Sequence, residues 1–183
     1  MTHADSLHAS AAAALTAYVP ADPTQAHLRD HYLRLLHRDP DAVWRRARPA
    51  HLTAGAVVVD PAGEHTLLVL HNRVRRWLQP GGHCEDGDRT LRDTAMRECR
   101  EETGLAAFET SAAPLVLSRH GAPCGAREHF DVQYLVVAPA DAATAVSEES
   151  LDVGWFPVDA LPEPLADGVA ANVTVAAAAV RRA

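Results

Sequence analysis

The segment Arg97-Glu98-Cys99-Arg100-Glu101-Glu102-Thr103-Gly104-Leu105 gathers three carboxylates within five residues. On a helix, residues three and four apart are neighbours, so Glu98 lies beside both Glu101 and Glu102. Like charges in one patch repel unless something offsets them. Leu91, Ala95 and Cys99 recur at i, i+4 and i+8, and the glutamates border this apolar stripe. A partly buried acidic cluster is costly alone. A hard divalent cation relieves it, since Mg²⁺ takes oxygen ligands and bridges carboxylates to substrate phosphates. The plainer alternative is a solvated helix face with ordinary i,i+4 pairs such as Arg97–Glu101.

The loop ahead of this helix bears on the choice. Gly81-Gly82 lets the backbone come close to a ligand. Glu85 adds a carboxylate, and Gly87 permits a tight return into the helix. Gly82, five residues, Asp88, eight residues and then Arg97 to Leu105 resembles the Nudix box, usually written GX5EX7REUXEEXGU, with U a bulky aliphatic residue. The C-terminal half matches at every defined position if Cys99 serves as the apolar residue. Asp88 stands where glutamate is usual, and one extra residue precedes Arg97. With Thr90 as helix cap, that residue is most simply Arg89, which leaves the helix register intact.

The resemblance implies an α/β fold, a Nudix-type α/β/α sandwich with a mixed β-sheet. It implies hydrolysis of a nucleoside diphosphate linked to another moiety. Glu98, Glu101 and Glu102 match the family's metal ligands for Mg²⁺, with Mn²⁺ as a substitute, and the Gly82 carbonyl often joins them. Arg97 matches an arginine that pairs with an acid and holds the loop. A carboxylate must take the proton of the attacking water. Glu101, Glu102, or Glu148 and Glu149 in the loop before Trp155-Phe156 are the candidates.

The substrate pocket is less legible. Trp77 can stack on a base or belong to the core. Arg73, Arg75 and Arg76 can contact phosphates or form a solvated hairpin loop. His83 and Glu85 flank the Gly82 region and are assigned to the substrate side. His120, His129 and Asp131 flank a strand and carry a weaker claim. Cys84 and Cys99 read as packing residues, because no Cys/His pairing supports a nucleophile.

These residues need elements to hold them. Thr90 to Thr103 is the clearest helix, capped by Thr90 with Asp93 three residues on and stopped by Gly104. Ala54–Val59 and Thr66–Leu70 read as a hairpin around Asp60-Pro61-Ala62-Gly63. Trp77 to Asp88 reads as a loop. Leu115–Ser118, Asp131–Val137 and Val153–Phe156 are further strands, and the tail from about Ala166 to Arg182 is helical. Leu28, Tyr32, Leu35 and Leu36 predict a helix from Pro23. Asp39-Pro40 interrupts it, and Asp41 is the expected cap of a short second helix through Trp44. Residues 1 to about 22 give little signal and read as an ordinary or frayed N-terminus. The organisation expected is a helical extension over 1–48, part of the same unit, and a main domain over 49–183.

Bulk composition narrows the classes. The chain has 183 residues, 48% hydrophobic and 22% charged, normal for a globular protein. No apolar run approaches a membrane span. The net charge of −7 speaks against broad nucleic-acid binding. All 17 basic residues are arginine, so every such cation can make bidentate phosphate contacts. Three cysteines make no disulfide framework, no Cys/His ligand spacing is visible, and a cytoplasmic setting is the default. The expected partner is a small-molecule diphosphate, with a monomer or homodimer both open. Two alternatives stand beside hydrolysis: a nucleotide sensor without turnover, and prenyl-diphosphate chemistry on the same scaffold. Isomerases of the latter kind use a catalytic cysteine and a His-rich metal site, which the sequence alone does not place.

Overall fold

The computed structural model describes residues 3–122 and 124–182. Its frame is set by β1 (Ala50–Val59), a ten-residue strand whose residues are all buried. Leu52, Ala54, Ala56 and Val58 make one face apolar throughout, and Val57 and Val59 make the C-terminal part of the other apolar, as a strand covered on both sides requires. It runs parallel to β7 (Glu128–Val137) along its whole length, from Ala50 opposite Glu128 to Val59 opposite Val137. The other edge of β1 is shared. Thr53 to Gly55 pair antiparallel with β4 (Gly81–His83), and Val58–Val59 pair with β2 (His65–His71). β2 continues to β3 (Trp77–Leu78) and β8 (Ser150–Pro157), while β7 carries β5 (Glu109–Thr110) and β6 (Val116–Gly121). The result is a mixed sheet in which the Gly81-Gly82 backbone is held directly against β1.

Alternation along β1 sorts the layers. Leu52, Ala54, Ala56 and Val58 pack with α3 (Leu91–Thr103), whose Leu91, Ala95 and Cys99 are buried as the stripe predicts. Val57 and Val59 face α4 (Val169–Val180) through Val169, Val173 and Ala176. Helices on both faces make the expected α/β/α sandwich. Thr90 caps α3, accepting from the Asp93 amide at 3.0 Å, and Gly104 ends it in the left-handed region at φ 73°. The Asp93 carboxyl returns to the amide of Arg89 rather than of Thr90. The extra residue thus sits at the helix entrance and leaves the helix phase unchanged.

Several elements differ from the sequence expectation. Residues His3–Ala17 form a helix, α1, in which Leu7, Ala11 and Leu15 are fully buried. The apolar spacing is helical, but half of the other positions in the helix are also alanine, which mutes the amphipathic contrast. The helix from Pro23 to Arg38, α2, is capped by Asp22 as well as started by proline. The turn that follows, Pro40–Val43, is capped by Asp39 and not Asp41: the Asp39 carboxyl accepts from the Asp41 amide. The expected loop over Trp77 to Asp88 contains β3 and β4, too short to show a periodic pattern. Among the described residues, no helix is long and apolar enough to cross a membrane.

The N-terminal helices close an edge. Gln25 of α2 accepts from the Leu117 amide at 2.9 Å and donates to the Leu117 carbonyl at 3.0 Å. It therefore pairs with β6 as a neighbouring strand would, satisfying groups that an open edge leaves unpaired. Tyr32 donates to the carbonyls of Ser118 and Asp131. Leu7→Ala and Leu15→Ala should each cost about 2–5 kcal/mol, the cost of emptying a leucine site in a packed core. Urea unfolding of the two variants measures this; losses under about 0.5 kcal/mol, as at a surface position, would show that α1 does not pack.

Candidate active site

Arg97 is the hub of the site. Its five N–H groups make five hydrogen bonds. Nε and Nη2 reach the Asp88 carboxylate at 3.2 and 3.0 Å, and Nη2 also reaches the His83 carbonyl at 2.8 Å. Nη1 reaches Glu98 at 3.0 Å and Glu101 at 2.9 Å. A planar guanidinium with fixed donor directions can tie a loop, a strand and a helix face together in this way. No donor remains for a substrate phosphate. All of its donors are engaged within the protein, and the acid it pairs with is Asp88.

Asp88 answers the question raised by its place in the motif. It is 6% exposed and also accepts from the Glu85 amide at 3.0 Å and the Thr94 hydroxyl at 2.9 Å. Burial alone would raise its carboxyl, but these donors and the Arg97 charge together hold it below the usual carboxylate range. It is the anionic peg that fastens the loop to α3.

The remaining carboxylates face a cleft. Glu102 is 4% exposed and accepts from the Gly81 amide at 2.9 Å. Burial pushes it up to about 8, the Gly81 amide opposing and Glu98, Glu149 and Glu101 reinforcing. Glu98 is pushed up to about 7 by burial, opposed by Arg97 and reinforced by Glu101 and Glu149. A Cβ on Gly82 would lie 2.7 Å from the Glu98 carboxyl carbon, and one on Gly81 would lie 2.7 Å from the Gly55 Cα. Only a Gly-Gly pair lets β4 pass between β1 and these carboxylates. Glu101 has a 57% exposed side chain and reaches out from the same helix end. Glu149 is exposed on the far rim, where the Asn72 amide holds its carbonyl at 3.0 Å. Glu101 and Glu102 lie in the last turn of α3, where the helix dipole adds further negative potential. One guanidinium does not balance this set.

The cleft has a volume of about 760 Å³, within the range that takes a nucleotide-sized ligand. It is lined by Gly82, Glu98, Glu101, Glu102 and Glu149, and also by His83, Glu85, Arg73 and Arg76. Arg76 donates to the Leu165 carbonyl at 3.0 Å. Glu148 and Arg75 are not among its lining residues. Trp77 is not either: it is 8% exposed and its ring packs edge-to-face on Phe156, 4.8 Å between centroids. Its strand position turns the ring into the α4-side core. Cys84 and Cys99 are buried, and burial pushes their thiols up to about 11 and 12. They are packing residues, as expected.

Sequence reasoning missed one wall. Gln79, Gln133 and Asn172 line the cleft opposite the glutamates, together with Leu78 and Val169. The Gln133 Oε1 is buried without a hydrogen-bond partner. Sequence reasoning also missed a cluster of His51, His83, Cys124 and His129, whose ligand atoms lie within 4.8 Å of one another. The absence of Cys/His ligand spacing along the chain is thus corrected by the fold.

Known proteins share this architecture. A C. elegans Ap4A hydrolase binary complex superposes with TM-score 0.62 at 19% identity, covering 72% of this chain and 98% of that one. A NUDIX-family hydrolase from Clostridium perfringens gives TM-score 0.58 at 20% identity, covering 71% and 95%. The NUDIX domain of Shewanella oneidensis NrtR, complexed with ADP ribose, gives TM-score 0.58 at 24% identity, covering 80% and 96%. Comparison with curated proteins yields no match. The profile of the NUDIX domain matches residues 49–179, which hold the sheet, the Arg97 hub and the glutamates of α3; the chain belongs to the NUDIX family.

Proposed function

We propose that this chain hydrolyses a phosphoanhydride bond in a nucleotide or nucleoside-diphosphate conjugate, with Mg²⁺ as the working cation and Mn²⁺ as a substitute. One observation carries the reading: Glu102 is buried and Glu98 nearly so, side by side against Gly81-Gly82, at a helix end, with far less positive charge than negative. All-oxygen donors of this kind fit a hard divalent ion. Glu98, Glu101, Glu102 and the Gly82 carbonyl would hold it. When bound, it would neutralise the diphosphate and make water a better nucleophile.

The chain's own groups supply positioning, which is most of what phosphoryl transfer needs. Arg97 and Asp88 fix the loop and the helix in one register. Gly81 and Gly82 bring backbone to the phosphate side of the cleft. Arg73, Arg76 and Glu85 border the opening and meet the rest of the substrate, while His83 turns its ring toward His51 and His129. The amides of Gln79, Gln133 and Asn172, beside Leu78 and Val169, suit a polar group such as a base or sugar. Glu149 is our choice of general base. It stands across from the α3 carboxylates and exposed, so a proton taken from water passes directly to solvent. Glu102 is committed to the Gly81 amide and Glu101 to Arg97.

Residues 1–48, in this reading, belong to the same working unit, because α2 closes the β6 edge behind the cleft wall. The Cys/His cluster removes one ground against prenyl-diphosphate isomerisation. The three α3 carboxylates favour hydrolysis over that reading and over a sensor without turnover.

A panel of ADP-ribose, NDP-sugars, dinucleoside polyphosphates, nucleoside triphosphates and prenyl diphosphates with Mg²⁺ tests the proposal. At least one should be cleaved to phosphate-containing products. Glu98→Gln and Glu102→Gln should each lower that activity by about a hundredfold or more, since even groups that only orient a metal ligand cost about 10–100-fold. Undiminished activity in both variants would sink the metal assignment, and tight binding without turnover would favour the sensor.

Protonation gives a second test. Raised carboxylates favour the protonated fold, so they add stability at low pH and lose it as pH climbs from about 4.5 through 7–8. Burial depresses His83 to about 4 and His129 to about 3, so their contribution runs the other way and is complete above 6.5. In chelator, unfolding free energy should therefore fall between pH 6.5 and 8. A flat or rising profile there would contradict the burial of Glu98 and Glu102.

A further inference from the structure

Three imidazoles and a thiol converge beside the carboxylate site. His51 on β1 lies directly opposite His129 on β7 in the parallel ladder, and His83 on β4 pairs opposite Thr53, two residues along β1. The sheet register therefore brings these rings together. Their centroids form a nearly equilateral triangle: 4.9 Å from His51 to His129, 5.1 Å from His51 to His83 and 5.1 Å from His83 to His129. Cys124, in the turn between β6 and β7, closes the figure. Its Sγ lies 3.2 Å from the His129 Nε2 and 3.5 Å from the His51 Nε2.

The arrangement is organised for ligation. The His51 Nδ1 faces the Ala47 carbonyl at 3.1 Å, which sets Nδ1 as the donor and turns the Nε2 lone pair toward Cys124. Metal-binding histidines are typically oriented by such an outer hydrogen bond. The His83 Nε2 is buried without a hydrogen-bond partner. His51 is completely buried and His129 nearly so, so their ring nitrogens are withdrawn from bulk water. Lone pairs meeting at one point repel unless a proton or a cation lies between them. A tetrahedral zinc ion with bonds of about 2.0–2.1 Å to nitrogen and about 2.3 Å to sulfur sets its ligand atoms about 3.3–3.6 Å apart. The Cys124 contacts, at 3.2 and 3.5 Å, are close to that spacing.

We propose that His51, His83, His129 and Cys124 form a second cation site, for a borderline-soft ion of the Zn²⁺ class. Nitrogen and sulfur donors select such an ion, whereas the oxygen donors of α3 select Mg²⁺. The two sites share β4: Gly82 abuts Glu98, His83 joins the cluster, and the His83 carbonyl is held by Arg97. A bound ion pins the β6–β7 turn to β1 and β4 and stiffens that wall of the cleft. Arg45 and Arg48 are the nearby cations, and ionisation of the Cys124 thiol on metal binding offsets part of their charge. The inference is independent of which bond the protein cuts.

Co²⁺ is the spectroscopic probe for this site. The full-length chain, stripped with chelator, should bind one equivalent of Co²⁺ with the ligand-field bands of a tetrahedral centre and a thiolate-to-cobalt charge-transfer band. Zn²⁺ should bleach both, and excess Mg²⁺ should not. Cys124→Ser should remove the charge-transfer band, and His129→Gln the tetrahedral bands. Far-UV circular dichroism verifies that each variant is folded, and Cys124→Ala replaces the serine variant if that one is not. Glu98→Gln should leave both bands in place. Cobalt bound without a thiolate band, a band that survives loss of Cys124, or bands lost in folded Glu98→Gln would each overturn the assignment.

Discussion

Repulsion among carboxylates at the end of α3 is the constraint around which the molecule is arranged. Glu102 is buried and Glu98 nearly so on the helix face that meets β4, Glu101 lies beside them on the same helix, and Glu149 adds a further carboxylate from the far rim. Charged groups of one sign withdrawn from water cost heavily unless partnered. The fold supplies only partial relief: one guanidinium and one backbone amide. In the proposed reading, a dication would offset that deficit and an anionic substrate would bind through it. The same deficit explains why burial raises both carboxyls, while Asp88, saturated with donors, is lowered.

The scaffold makes such a deficit tolerable. β1 is buried on both faces and paired along both edges, so the Gly81-Gly82 strand has a rigid surface to lie on. The stripe Leu91, Ala95 and Cys99 fixes the rotation of α3, and that rotation points Glu98 and Glu102 at β4. Arg97 then joins helix, loop and strand through its five donors. These are separate physical devices: apolar burial, glycine clearance and bidentate hydrogen bonding. Each constrains the same few ångströms of carboxylate position. The N-terminal helices act at longer range by closing the edge of β6, which carries the opposite end of the same wall.

What was legible in the sequence follows from the range of the interactions. The α3 helix rests on local signals: the Thr90 cap, the Gly104 stop and the i, i+4 stripe. Those alone set where its glutamates point. The pairing of Arg97 with an acid was also readable, although that acid is an aspartate one residue further away in sequence. The histidine cluster was not readable, because His51, His83 and His129 meet through strand register and no chain spacing encodes it. Trp77 was ambiguous because a two-residue strand has no period from which to infer a face. Helix α1 escaped because alanine on its buried face resembles alanine elsewhere.

The central claim is that a divalent cation offsets the buried Glu98–Glu102 charge. Thermal unfolding at neutral pH, with chelator or with Mg²⁺, tests it in the absence of any substrate. Ligand bound only to the native state raises the transition temperature by mass action. Mg²⁺ should raise the Tm of the wild-type chain. Glu102→Gln should lose that shift and, in chelator, be at least as stable as wild type, because the cost of burying that carboxyl, as a charge or by protonating it, is gone. An unchanged wild-type Tm, or a full Mg²⁺ shift in Glu102→Gln, would contradict the account.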